Sequence, residues 1–341
     1  MKTISFLHSN NNSNSISRVG DNLISGLREM GCNVLLFNDD KDLVGGKNIV
    51  SNFDLQKLKF LKAKNIIPYF SYPYSLVPKI DYYYLKDFDN ILVYNNHTKS
   101  VLCESGFKED NIFVLPIGID CKKFRRSTPL IDMGGRFPFL NIVDISKGNR
   151  WVNVVESYYQ SFCFDDNVIL VLKAYNQKYQ EYYQNQIVRE IEVLKKKFQK
   201  KLPPIYFVES EMSDDEIIGL YKSCSAYVKL YNTNSGLSFL EALASDLVCI
   251  GPDVGGCRDI IDKSNSFIIE TKRKERSDNM GQLSSFVSNV FDHEQLSCVL
   301  KYVYDNYAQV KEKFLEKRKV IIPKFDRRLS SFNLYKYLKT I

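Results

Sequence analysis

The densest grouping of chemically useful side chains lies in residues 232–261. It reads Asn-Thr-Asn-Ser-Gly-Leu-Ser-Phe-Leu-Glu-Ala-Leu-Ala, then the apolar run Leu247–Ile250, then Gly255-Gly256. This order predicts a polar, glycine-bearing loop opening a short helix, followed by a strand and a second glycine turn. A helix N-terminus presents unpaired backbone N–H groups and a partial positive charge, which suits a phosphate. Glu241, just inside that helix, has a carboxylate able to accept hydrogen bonds from a ribose diol. A second candidate is Lys173, which ends the apolar run Val168–Leu172. A cation at the carboxyl end of a parallel strand is expected to face a cleft rather than a core, where it can meet a phosphate. Taken alone, the same stretch also describes an ordinary loop, helix and strand of an α/β domain.

The elements needed to position these residues are readable on both sides. The chain has 341 residues, 44% of them hydrophobic, enough for two domains of about 150 residues each. In the first half, Thr3–His8, Cys32–Phe37, Ile66–Phe70, Asn90–Tyr94 and Ile112–Leu115 read as short strands. Between the first two, Ile16, Val19, Leu23, Leu27 and Met30 recur at helical spacing, and Gly31 closes the stripe. The second half repeats the rhythm with Phe139–Val143, Val168–Lys173, Ile205–Val208, Ala226–Leu230 and Val248–Ile250. Such alternation predicts an α/β protein with two mostly parallel, doubly wound sheets, their ligand-facing strand ends turned to a cleft.

Three phrases together carry a family resemblance. Gly236-Leu237-x-x-Leu240-Glu241-Ala242-Leu243-Ala244, followed by a strand and Val254-Gly255-Gly256, resembles the donor-site signature of family 4 glycosyltransferases. Leu115-Pro116-Ile117-Gly118-Ile119-Asp120, with Phe124 after it, is similar to their interdomain phrase. Val93-Tyr94-Asn95-Asn96-His97-Thr98-Lys99, with Gly106 and Asn111-Ile112-Phe113, fits the run into it. The resemblance covers roughly residues 65–261. It implies the GT-B fold: two Rossmann-like, doubly wound domains facing a central cleft, with a C-terminal crossover helix. The limits that follow are 1–125 for an acceptor-side domain, 126–322 for a donor domain, and 323–341 for a helix returning to the first domain. Within that last segment Leu329, Phe332, Tyr335 and Leu338 are spaced to share one helical face, expected to dock against residues 1–125.

The resemblance also implies a chemistry: retaining transfer of a sugar from a UDP- or GDP-sugar to a glycan, lipid-linked or other hydroxyl acceptor. The negative charge growing on the leaving diphosphate must be met by cations and N–H groups. By resemblance the catalytic candidates are Lys147 and Arg150, in the loop Asp144–Trp151, together with Glu241. Lys173, Val208, Glu209, Thr233, Asn234, Ser235, Gly236 and Leu237 would bind the donor. His8, Asn10, Tyr72 and Tyr74 would lie on the acceptor side. Two departures stand out. Thr233 occupies the position of the family's first glutamate, and loop 9–15 lacks the usual glycine pair.

Composition narrows the remaining classes. The net charge is +7, but three of the excess positive charges fall in residues 1–125 and four in the rest. No domain is basic enough to clamp a nucleic acid, which also argues against a glucosyltransferase acting on DNA bases. The runs Lys122–Arg126, Lys195–Lys197 and Lys272–Lys274 are the candidates for a weak peripheral contact with an anionic membrane surface. No apolar stretch is long enough to span a bilayer, and the first strand is too short for a signal peptide. The eight scattered cysteines include no Cys-x-x-Cys pair, which fits free thiols in a cytoplasmic protein. No Asp-x-Asp ends a strand and the three histidines are far apart, so neither a tightly held metal nor another cofactor is expected. Two alternatives stay open: a catalytically silent relative that binds nucleotide or glycan, and another GT-B enzyme such as a nucleotide-sugar epimerase.

Overall fold

The computed structural model describes residues 3–8, 15–37, 48–51, 65–72, 76–144, 150–175, 180–230, 235–276 and 286–341. The first half contains β1 (Thr3–His8), α1 (Ser15–Glu29), β2 (Asn33–Phe37), β3 (Asn48–Ser51) and β4 (Ile66–Phe70). It continues with α2 (Lys79–Leu85), β5 (Ile91–Val93), α3 (Asn96–Glu104), β6 (Ile112–Val114) and α4 (Cys121–Arg126). The second half runs β7 (Phe137–Asp144), α5 (Arg150–Ser161), β8 (Val168–Tyr175), α6 (Gln180–Lys195), β9 (Ile205–Val208) and α7 (Asp214–Lys222). There follow β10 (Ala226–Val228), α8 (Leu237–Ala244), β11 (Val248–Pro252) and β12 (Phe267–Ile269). The hairpin β13 (Thr271–Arg276) and β14 (Phe286–Phe291) then leads into α9 (His293–Asp305), α10 (Tyr307–Ile321) and α11 (Arg327–Thr340).

The strands form two six-stranded sheets, ordered β2-β1-β3-β4-β5-β6 and β12-β11-β10-β7-β8-β9, with parallel pairing throughout both. Their central strands are buried end to end, as in β4, β5 and β11, which is why they read as unbroken apolar runs rather than alternations. In each sheet the order reverses at one place, between β1 and β3 in the first and between β7 and β10 in the second. Such reversal points are where doubly wound sheets open a crevice for ligands. The architecture is the pair of doubly wound sheets with a crossover helix expected from the sequence. Strands β3 and β12 were not anticipated.

The chain passes between sheets through Leu115–Asp120. Asp120 caps α4 by accepting from the N–H groups of Lys122 and Lys123 at 3.1 and 3.0 Å. The chain end returns to the same place: Ile119 donates to the Phe325 carbonyl at 2.8 Å and accepts from the Arg327 N–H at 2.9 Å. A Cβ on Gly118 would sit 2.6 Å from Cα of Arg327, so only glycine admits this crossing. Helix α11 then lies along α1. The Ser331 hydroxyl donates to the Leu23 carbonyl, and Glu29 receives Arg327 and Arg328. Further along, Tyr337 stacks on Phe113 with ring centroids 4.4 Å apart.

The face of α11 that docks matches the predicted apolar stripe only in part. Tyr335 and Leu338 pack against the core, but Leu329 and Phe332 are 41% and 42% exposed, while Ser330, Ser331 and Leu334 are buried. Gly26 explains the choice, since a Cβ there would lie 2.7 Å from the Arg327 carbonyl. The two helices approach backbone to backbone, and small residues fill the seam.

Candidate functional site

At the reversal point of the second sheet, β7 ends at Asp144 and β10 at Val228. Lys147 follows the first of these strand ends in the sequence, and Thr233–Gly236 follow the second. Gly236 caps α8 with φ +76°, a conformation that favours glycine. A Cβ there would meet Cδ1 of Ile260 at 2.5 Å and the Gly256 carbonyl oxygen at 3.1 Å. Gly255, with φ +64° and ψ −145°, lets its own loop fold up against Gly236. The two glycine motifs of the sequence are therefore one feature in space, a closely packed pair of turns under the N-terminus of α8. Ser235 is buried and its hydroxyl accepts from the Leu237 N–H at 3.3 Å.

Helix α8 is buried almost throughout, and Glu241 lies in its second turn, 3% exposed. A carboxylate so placed costs several kcal/mol, about the scale of an unpaired buried ion, unless it is compensated. Its partners come from three directions. Arg18 of α1, in the opposite half, forms an ion pair with Oε1. The Tyr221 hydroxyl of α7 donates to Oε2 at 3.2 Å. Lys229, one residue beyond β10, contributes its charge and donates from Nζ to the Ser238 hydroxyl at 3.1 Å. Burial pushes the Glu241 carboxyl above its usual value; Arg18, the Tyr221 hydrogen bond and Lys229 pull the other way.

Lys173 and Val208 are register partners in β8 and β9. The lysine does not stand open to the cleft as expected. It is 5% exposed, and Nζ donates to the Ser210 carbonyl at 2.6 Å. Strand β8 runs two residues past it, so the side chain leaves from within the sheet. Burial lowers its pKa, with Glu211 opposing. Glu209, next along, is exposed.

From the first half, His8 ends β1 opposite Ser51 of β3, at that sheet's own reversal point; its side chain lies outside the described residues. Tyr72 is 3% exposed, its phenol donating to Asp81 and its N–H to the Thr98 hydroxyl at 3.0 Å. Its ring is engaged within the first half. Besides Arg18, Asn96 at the start of α3 reaches across: its backbone N–H and side-chain amide donate to Asp259 at 2.8 and 3.0 Å. Arg150 opens α5, with its side chain outside the described residues. Lys147, Thr233, Asn234, Asn10 and Tyr74 also lie outside them. Among the described residues no cluster of His, Cys, Asp or Glu has metal-ligand geometry. No helix among them is long and apolar enough to cross a membrane.

No protein-family model matches the sequence, and no curated protein matches it either. Solved structures do match in fold. HepE from Anabaena, in complex with UDP-glucose, superposes with a TM-score of 0.75 at 11% identity, covering 100% of both chains. A glycosyltransferase from Rickettsia africae gives 0.68 at 14% identity, covering 99% of this chain and 98% of its own. The E. coli trehalose-6-phosphate protein bound with UDP-2-fluoro glucose gives 0.69 at 8% identity, over 100% and 99%. The fold is GT-B.

In this GT-B chain the site holds two charged residues that sequence reasoning passed over. Lys229 obeys the rule that drew attention to Lys173, a cation at a strand's carboxyl end. Extending the strand to Leu230 concealed it; the strand stops at Val228. Arg18 had no comparable signal. It sits in the first turns of α1 among the apolar stripe residues, and only the approach of the two GT-B halves makes it a neighbour of Glu241.

Proposed function

We propose that the chain is a retaining glycosyltransferase using a nucleoside-diphosphate sugar, UDP-linked before GDP-linked, with a hydroxyl-bearing glycan or lipid-linked acceptor. The observation that carries this reading is Glu241: a buried carboxylate one turn behind a glycine-capped helix N-terminus, at the reversal point of a GT-B second sheet. That arrangement suits a ribose diol beside a diphosphate. UDP leads because the Anabaena neighbour holds UDP-glucose and the E. coli neighbour UDP-2-fluoro glucose.

In the reaction, the bond between the sugar's anomeric carbon and the β-phosphate oxygen breaks, and the acceptor oxygen bonds to that carbon as its proton passes to the departing phosphate oxygen or to solvent. Charge left on the diphosphate is met by the N–H groups around Gly236 and Leu237, by Lys147 and Arg150, and by the ammonium of Lys173 or Lys229. Val208 and Glu209 lie where the base would rest; Thr233 and Asn234 flank the diphosphate. His8, Asn10 and Tyr74 remain acceptor-side candidates. With the charge carried by these groups, turnover is expected to persist in excess EDTA; complete, reversible loss would show that a metal takes the role instead.

The test is incubation with UDP- and GDP-sugars, following release of free nucleotide, alongside calorimetric titration of UDP and GDP. Release with one donor and saturable binding of its nucleotide support the reading. Binding without release points to the silent alternative, which Thr233 in place of a glutamate favours. No binding of either nucleotide defeats the enzyme reading and leaves of the silent alternative only a relative that binds glycan.

A further inference from the structure

Glu241 is held from the opposite half of the molecule. Arg18 lies in the first turns of α1, directly after the reversal-point strand β1 of the first sheet, yet its guanidinium meets two carboxylates of the second half. One nitrogen pairs with Oε1 of Glu241, and Nε pairs with Oδ1 of Asp214 at 3.1 Å. Arg18 is 22% exposed, Glu241 4% and Asp214 63% in their side chains, so the network runs from a solvated edge into a buried end. A planar guanidinium can serve two acids at once with fixed directions, which an ammonium cannot. The other groups around Glu241 are the Tyr221 hydroxyl from α7 and the ammonium of Lys229 after β10; both belong to the second half. Arg18 is therefore the cation among these partners that arrives only when the halves come together.

We infer that Arg18 is a positioning residue that couples closure of the two halves to nucleotide recognition, by fixing the Glu241 carboxylate in its ionised, oriented state. This rests on the reading of Glu241 as the nucleoside ligand. With the halves apart, Glu241 loses this cation, and whatever burial its own half still gives it favours its neutral form. A neutral carboxyl accepts hydrogen bonds from a diol more weakly than a carboxylate. Closure thus restores the acceptor, and a nucleotide that needs the acceptor favours closure by the same free energy.

The test combines UDP titration from pH 6 to pH 8 with small-angle scattering, on the parent chain, R18A, R18K, E241Q and K123A. Lys123 bridges the halves elsewhere, to Asp215 at 2.7 Å between exposed groups, and controls for general loosening. R18A is expected to weaken UDP by about 10- to 100-fold at pH 7. The loss should deepen toward pH 6, because without Arg18 the carboxyl protonates at higher pH. R18K should restore part of the affinity, and K123A should keep the parent's affinity and pH profile. Adding R18A to E241Q should cost little more than E241Q alone, since both act through one carboxylate. Parent-like affinity and pH dependence in R18A, or full independence of the two losses, overturns the inference. Where R18A does not fold, R18Q carries the same comparison, since it removes the charge and keeps much of the side chain's bulk: parent-like affinity and pH profile in R18Q overturns it. If E241Q binds UDP as the parent does, the nucleoside reading fails. The ion network is then judged on scattering of the unliganded protein, where R18A must increase the radius of gyration relative to K123A, and an unchanged profile refutes it.

Discussion

The two walls of the cleft are built on opposite principles. The second half keeps charged groups buried: Glu241 at 3% exposure and Lys173 and Lys229 at 5% each. In the first half, the segment 71–78 after β4 carries no charged residue, and Tyr72, among its described residues, is tied into its own half. Tyr72 bonds to Asp81 and Thr98, and Thr98 in turn donates to Asn95, the cap of α3, at 2.8 Å. Buried charge is costly to fold around and is retained where its charge or direction is used. A loop whose polar groups are satisfied locally is a scaffold for whatever its exposed edge presents. The contrast suggests a preorganised second half and a first half that contributes reach, through Arg18 and Asn96, more than buried charge.

Breaking the packed glycine turns should have the largest effect. Gly236→Val places a branched side chain at φ +76°, against Ile260 and the Gly256 carbonyl. Strain and overlap together are expected to cost about 3 kcal/mol or more and to abolish nucleotide binding. Thermal unfolding and UDP titration check this, and a variant that binds as the parent does would show that the turns are not preorganised.

Next comes the carboxylate. Glu241→Ala is expected to weaken nucleotide binding by about 1.5–3 kcal/mol while the circular dichroism spectrum stays that of the parent. Unchanged affinity in a calorimetric titration would remove Glu241 from the site and leave its burial a matter of interdomain pairing alone.

Tyr72→Phe sharpens the other side of the contrast. Loss of the phenol's bond to Asp81 should lower stability by about 1 kcal/mol, with nucleotide affinity unchanged. A drop in turnover without a drop in stability would place Tyr72 in the cleft after all.

The smallest effect concerns the crossover helix. The Arg328 hydrogen bond, with Arg327 adding to it, holds the Glu29 carboxyl below its ordinary value of 4.5 against the opposing pull of burial. A group whose folded pKa is depressed adds stability above the unfolded value and loses it as pH falls through the folded one. The parent should therefore melt slightly above E29Q at neutral pH, and the difference should shrink as pH falls below 4.5 and through the lower folded value. A gap that persists at pH 3 would mean that Glu29 acts there by packing rather than charge.

The legible parts of the molecule were those encoded locally. Glycines at 118, 236 and 255 and the capping Asp120 each leave a mark within a few residues, because turn geometry and capping are local constraints. Strand β3 left little signal: Asn48-Ile49-Val50-Ser51 has only two apolar residues, and it becomes a buried interior strand through pairing with β1 and β4. The docking face of α11 was misread in part for a related reason. Periodicity marked Leu329 and Phe332 as inward, whereas Gly26 on a helix some three hundred residues away selects the serines.

By itself, then, the sequence determined the α/β alternation, the two sheets and the glycine turns around α8, since apolar periodicity and turn chemistry act over short stretches of chain. Only the tertiary structure decided which charges meet. That Arg18 faces Glu241 and that Asn96 reaches Asp259 depend on how the two sheets approach each other, whereas Lys173 turns to Ser210 through the pairing of β8 with β9 within one sheet. Pairing across such a gap is set by distance in space, and residues as far apart in the chain as 18 and 241 carry no local pattern that announces it.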